Sequence, residues 1–205
     1  QFENYPKGPT SNTQLHDLLG SGIFAVDGPE WKSQRKTAAN IFNVKNFKGF
    51  VEGVFADHME LLNAKLETAV DDGRVVDLHD LLFRFTLESF GHIGFGISFG
   101  CLTSDDPVPF AAAFDRAQSV VDQRSRKPFW AVWERYTATG RQFRKDCETV
   151  HEFGLRVVRD RRADPLKETK NDLLSFFMRA KTESGDPPSD RHLSDIVLNM
   201  IIAGK

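Results

Sequence analysis

Trp31 and Arg35 stand four residues apart in "PEWKSQRKTAANIF", so a helix places them on one face. Arg35 brings a rigid fork of donors that matches a carboxylate. Trp31 brings one N–H donor on a large apolar body. Together they could hold an acidic group at the rim of an apolar cavity. The same pair could instead be a tryptophan packed beneath an arginine stem, a cation–π contact with no ligand. Residue chemistry alone favours the second arrangement.

Other chemistry-bearing residues have plainer readings. "GFGISFG" carries Gly94, Gly96 and Gly100, which is GxGxxxG, and it follows a helical pattern rather than a strand. A nucleotide loop needs GxGxxG after a strand, so these glycines are expected to end a helix or permit close packing. The six histidines form no HxxxH pair, and neither cysteine sits at zinc spacing to one, so no metal site is expected. They read as surface or satisfied core residues. Arg156, Arg159, Arg161 and Arg162 fall late in a helix, where basic residues complement the dipole.

The elements that must position these residues are helical. "HDLLGSG" fits a short helix closed by Gly20 or Gly22, and the next helix opens at Pro29. Apolar periodicity predicts helices over 47–70, 78–95, roughly 107–123 and 137–162, another over "NDLLSFFMRA", and a last one from Asp190. "RVVDL" is β-branched and reads as an isolated strand. The fold class is mostly α, with about seven helices, at most one or two short strands and no βαβ alternation.

The chain has 205 residues, enough for one large domain. Its formal net charge of −2 gives no field that would draw it to nucleic acid. Phenylalanine numbers 18 against 2 tyrosines, which suits a helical interior with few polar handles. The two cysteines, Cys101 and Cys147, form no disulfide framework, so a reducing compartment is the default. No apolar run is long enough to span a membrane.

Three stretches, in order, resemble the cytochrome P450 monooxygenases. "LLGSGIFAVDGPEWKSQRKTAANIF" is similar to that family's B–C region and C helix, including its WxxxR. "LSDIVLNMIIAGK" is similar to the first half of its I helix, and "RVVDLHDLLFRFTLESFGHIGFG" to its short strand and E helix. The helices between resemble the D to H helices in order. The "GIFAVDG…W…QRK" and "IIAG" wording most resembles the fatty-acid ω-hydroxylase-like families of plants, fungi and related eukaryotes. The resemblance covers residues 1–205, read as one partial P450 domain.

The resemblance implies a b-type heme whose propionates Trp31 and Arg35 would bind. It implies that Ala203 and Gly204 pass over the open heme face, and that Ile23 and Phe24 belong to a substrate-recognition segment. It implies electrons from NADPH through NADPH–cytochrome P450 reductase. It further implies oxygen insertion into a lipophilic small molecule such as a fatty acid, and a parent protein on the cytoplasmic face of the endoplasmic reticulum membrane. Departures matter as well. Lys205 precedes the acid–threonine pair of the I helix, no glutamate has an arginine three residues later, and neither cysteine fits FxxGxxxCxG. The expectation is therefore an N-terminal-to-middle fragment without the axial cysteine, with no catalytic residue of its own and inactive alone. The rival expectation is a non-enzymatic helical module that binds lipid or another protein.

Overall fold

Nine α-helices follow one another in the computed structural model, which describes residues 4–41, 47–170, 172–181 and 185–204. They are α1 (Gly8–Leu19), α2 (Gly28–Ile41), α3 (Phe47–Asp71), α4 (Leu78–Phe95), α5 (Pro109–Arg124), α6 (Trp130–Tyr136), α7 (Ala138–Ala163), α8 (Leu173–Arg179) and α9 (Asp190–Gly204). Asn171 and Lys205, both part of sequence expectations, lie outside the described residues.

α7 is the long amphipathic spine. Its buried residues include Phe143, Cys147, Val150, Gly154, Val157, Val158 and Arg161, the three-and-four spacing of one helix face. That face packs on α5 and α9, while α4 lies against α3, α8 and α9. α9 is apolar nearly all round, with Leu193, Val197 and Leu198 fully buried, as suits a helix running through a core. Phe110 and Phe153 stack at 4.2 Å between ring centroids, and Phe99 closes the group at 5.3 Å from Phe153.

Local signals explain the element ends. Asp77 caps α4 by accepting from Asp80 N at 3.1 Å, and Gly96, at φ 60°, terminates that helix. "GFGISFG" is thus a helix end followed by an irregular loop. α1 is longer than "HDLLGSG" suggested because Pro9 starts it about two turns earlier. One expectation is corrected. Residues 74–77 carry no regular secondary structure and pair with no strand among the described residues, and Val75 is fully exposed. The expected seven or so helices roughly fit the nine of the described residues, the difference lying chiefly in α6, in a stretch whose basic composition hid it. α6 forms because buried Arg124 recruits it. The Arg124 guanidinium binds both Glu134 oxygens at 2.9 and 2.7 Å, Gln14 O at 2.6 Å and Asp17 at 2.7 Å, and lies 4.1 Å from the Trp130 ring centroid.

The arginine cluster on α7 also differs from a simple dipole complement. Arg161 is buried and ion-paired to Asp172, while Arg162 lies at the surface against Asp190. Among the histidines, His58 shares a hydrogen bond with Ser89 Oγ at 2.9 Å. His151 is only half satisfied: Nε2 meets Asp17 O at 2.8 Å, and buried Nδ1 has no partner. Among the described residues no cluster of three or more metal-ligating side chains exists.

Glu88 organises the turn after α4. Its buried carboxylate accepts from Phe99 N at 3.0 Å, Cys101 N at 2.9 Å and the hydroxyl of Ser98. Burial pushes this carboxyl up, but the donors from Ser98 and Cys101 outweigh it and hold it below its ordinary 4.5. A group with a depressed folded value contributes stability in full above its ordinary value and loses it as pH falls through the folded one. Urea unfolding of the full-length protein at a series of pH values is expected to show less loss between pH 5 and 3 for Glu88→Gln than for the parent (a range set by ordinary carboxylate values, roughly 4). Parallel curves for the two proteins would refute the assignment.

Candidate functional site

The segment between α1 and α2 is held by its neighbours rather than by its own regular structure. The Asp27 carboxylate accepts from Lys7 N and Gly8 N, both at 3.0 Å, closing the start of α1. Asn12 Nδ2 donates to Ala25 O at 2.8 Å, and Lys7 Nζ donates to Val26 O at 2.7 Å. The same Lys7 Nζ lies over the Trp31 ring, 5.7 Å from its centroid. On α2, Gln34 Nε2 donates to Ser21 O at 2.8 Å. α1, the connecting loop and α2 therefore form one hydrogen-bonded unit.

α9 grips that unit from beneath. Asp195 Oδ2 accepts from Ser21 N at 2.9 Å, and Arg191 Nε lies 3.3 Å from the other oxygen without hydrogen-bonding alignment. One turn later, Asn199 Oδ1 accepts from Phe24 N at 3.0 Å while Nδ2 donates to Leu19 O at 2.7 Å and Asp195 O at 2.8 Å. Both side chains are buried. Gly20, at φ 54°, lies on the Asp195 carboxylate, and Gly22 lies on the Asn199 amide. A Cβ at Gly22 would sit 1.9 Å from Asn199 Nδ2, so only glycine allows this approach.

The residues singled out in the sequence fall in three places. Ile23 and Phe24 ride on the gripped loop, Ile23 buried and Phe24 41% exposed. Trp31 and Arg35 lie on α2, one turn apart. Trp31 is half-buried, whereas Arg35 is exposed, with no hydrogen bond or ion pair to the described residues. Ala203 and Gly204 end α9 one turn beyond Asn199. Ala203 is exposed, and a Cβ at Gly204 would meet the Phe90 ring of α4 at 2.2 Å. The structure thus brings Phe24 directly onto α9 through its backbone N–H, with Ile23 buried beside it, and links α2 to the same loop through Gln34. Gly204 has a packing reason of its own.

Neither cysteine is presented as a thiolate. Burial, then the Glu88 carboxylate that accepts its S–H at 3.1 Å, pushes Cys101 up to about 12. Burial, then the charge of Asp17, pushes Cys147 up to about 12.

Asp195, Asn199 and Gln34 were not singled out from the sequence, and Gly20 and Gly22 were expected only to close a helix. A signal existed. Asp195 and Asn199, at i and i+4, are the two polar residues of the otherwise apolar run 195–203, and buried polar groups demand partners. The partners are backbone atoms of a loop more than 170 positions away, which periodicity does not report.

The comparisons with known proteins agree with one another. A family model described as Cytochrome P450 matches residues 1–205. The chain is 37% identical over 214 residues to cytochrome P450 monooxygenase cyp1 of Mycosarcoma maydis, an alignment covering 100% of this chain and 33% of that protein. It is 35% identical over 221 residues to cytochrome P450 704B1 of Arabidopsis thaliana, covering 100% of this chain and 42% of that protein. Among solved structures, the crystal structure of a cytochrome P450, CYP102L1, aligns with a TM-score of 0.77 at 21% identity, over 96% of this chain and 44% of that one. The cytochrome P450DA heme domain aligns with a TM-score of 0.73 at 24% identity, over 97% of this chain and 42% of that one. At these identities the two structures speak for the fold alone. The chain spans between 33% and 42% of the length of the two curated relatives.

Proposed function

Because the chain belongs to the cytochrome P450 family, we propose that its parent protein is a heme-dependent monooxygenase that hydroxylates a fatty acid. Two electrons would come from NADPH through NADPH–cytochrome P450 reductase and two protons from solvent, with one atom of dioxygen entering a C–H bond and the other leaving as water. The fatty-acid assignment rests on the "GIFAVDG…W…QRK" and "IIAG" wording. On the same resemblance, the parent works at the cytoplasmic face of the endoplasmic reticulum membrane. Among the described residues no helix is long and apolar enough to cross a membrane.

The donor set of α2 fits the cofactor. Arg35 offers an exposed guanidinium with no partner among the described residues, so it can donate to a propionate, and Trp31 lies one turn before it on the same helix face. Ala203 presents a small exposed side chain at the end of α9, which leaves room beside the macrocycle for oxygen and substrate. Heme, when bound, supplies the oxidising chemistry. The chain's own residues anchor the carboxylates, exclude water with apolar helices and present Phe24 to the substrate.

The observation that carries this reading is the family match over the whole chain together with the unpartnered Arg35. Its test uses the full-length protein with reductase, NADPH and a long-chain fatty acid. The expected result is a hydroxylated acid and the carbon monoxide spectrum of a thiolate-ligated heme. A thiolate spectrum without fatty-acid oxidation would overturn the substrate. No thiolate spectrum would overturn the enzyme in favour of a helical binding module. The 205 residues alone are expected to give neither product nor thiolate spectrum, because neither Cys101 nor Cys147 lies in an FxxGxxxCxG loop.

A further inference from the structure

We propose that Asn199 is a positioning residue for the substrate-facing loop, acting with Asp195 to fix the register of Leu19–Phe24 on α9. The inference rests on the proposed function for its catalytic consequence but not for its geometry. Two side chains one helical turn apart hold three backbone points of one loop: Ser21 N on Asp195, and Phe24 N and Leu19 O on Asn199. Asn199 makes three hydrogen bonds, two of them to the loop. An amide satisfies a donor and an acceptor at once, which no apolar or purely accepting side chain does.

The loop can slide only if both contacts break together. Gly20 and Gly22 lie directly on these two side chains, so the contact is backbone to side chain with no intervening Cβ. Gln34 ties the same loop to α2 at Ser21 O. Phe24, half-exposed and donating its own N–H to Asn199, is thereby held at a fixed height one turn from Ala203. A substrate chain passing Phe24 would be stopped at a depth that the clamp sets. The specificity of oxidation along that chain is then a property of Asn199 and Gly22, neither of which needs to touch substrate.

Two variants of the full-length protein test this by different routes. Asn199→Ala removes the hydrogen bonds. Gly22→Ala keeps every hydrogen-bonding group but drives a Cβ into the Asn199 amide, at a position whose backbone tolerates alanine. Each is expected to change the ratio of hydroxylation positions by about five- to thirtyfold, the effect of one or two lost hydrogen bonds. Heme occupancy and the carbon monoxide spectrum should stay at the parent's values. The double variant should fall short of the summed effects, because alanine at 199 makes room for the new Cβ. Hydrogen exchange at the Ser21 and Phe24 amides gives a readout independent of activity: slow in the parent, faster in both variants.

If the parent forms no thiolate-ligated heme, the monooxygenase reading fails and exchange alone decides the clamp. Unchanged exchange together with an unchanged product ratio in both variants overturns the proposal. If Asn199→Ala loses heme, Gly22→Ala decides. Loss of heme there too also overturns the proposal, since a clamp that only positions the loop is dispensable to the cofactor.

Discussion

Arg161→Ala is expected to destabilise the folded protein by about 3–5 kcal/mol, the range for removing one partner of a buried ion pair. Arg161 on α7 binds Asp172 through both terminal nitrogens, at 2.8 and 2.6 Å, and also donates to Ser175 Oγ at 2.7 Å and to Phe95 O. Both partners are buried. Asp172 is at the same time the N-cap of α8, accepting from Ser175 N at 2.9 Å. Without the guanidinium, a buried carboxylate is left uncompensated and the carbonyl that ends α4 loses its donor. Three helix ends loosen together, so the effect should exceed that of a surface pair such as Arg162–Asp190, where about 0–1 kcal/mol is usual. Replacing both partners by apolar residues, Arg161→Met with Asp172→Leu, should cost less than the single change, because no charge is stranded. Urea unfolding of the full-length apoprotein measures this. A loss below about 1 kcal/mol for Arg161→Ala would show that the pair is structurally idle.

Arg161 also marks a boundary of what sequence conveys. Its place near a helix end was legible, but its burial was not, because Asp172 arrives from the next helix and nothing local announces it. Helices with strong periodicity were read nearly to the residue: 78–95 matches Leu78–Phe95, and 137–162 matches Ala138–Ala163 within a residue or so. α6 was hidden for a physical reason. Its seven residues bury no complete face, and it exists through Arg124, whose partners lie on α1 as well. "RVVDL" has strand propensity without a strand to pair with among the described residues, and propensity cannot supply the partner. In the candidate site, the face shared by Trp31 and Arg35 followed from spacing alone. The clamp of Asp195 and Asn199 on Gly20 and Gly22 did not, since it joins the two ends of the chain. Of the two glycines expected to close α1, Gly20 or Gly22, it is Gly20 that ends it, its N–H donating to His16 O at 2.8 Å, and its contact with Asp195 gives it a second duty.

The second large effect concerns Arg35. An exposed guanidinium without partner among the described residues contributes little to folding, so its removal should leave stability within about 0.5 kcal/mol of the parent. If it holds a heme propionate, the loss falls on the cofactor instead. A hydrogen bond to a charged group is worth about 1.5–3 kcal/mol, which lowers heme affinity about tenfold to a hundredfold. Lys32, exposed on the same helix but off the Trp31–Arg35 face, provides the matched control for loss of positive charge. The most direct measurement is therefore heme occupancy of the full-length protein, titrated with hemin, for Arg35→Ala beside Lys32→Ala. The propionate role predicts that Arg35→Ala loses heme at concentrations where Lys32→Ala stays saturated. Equal occupancy in the two variants would contradict it.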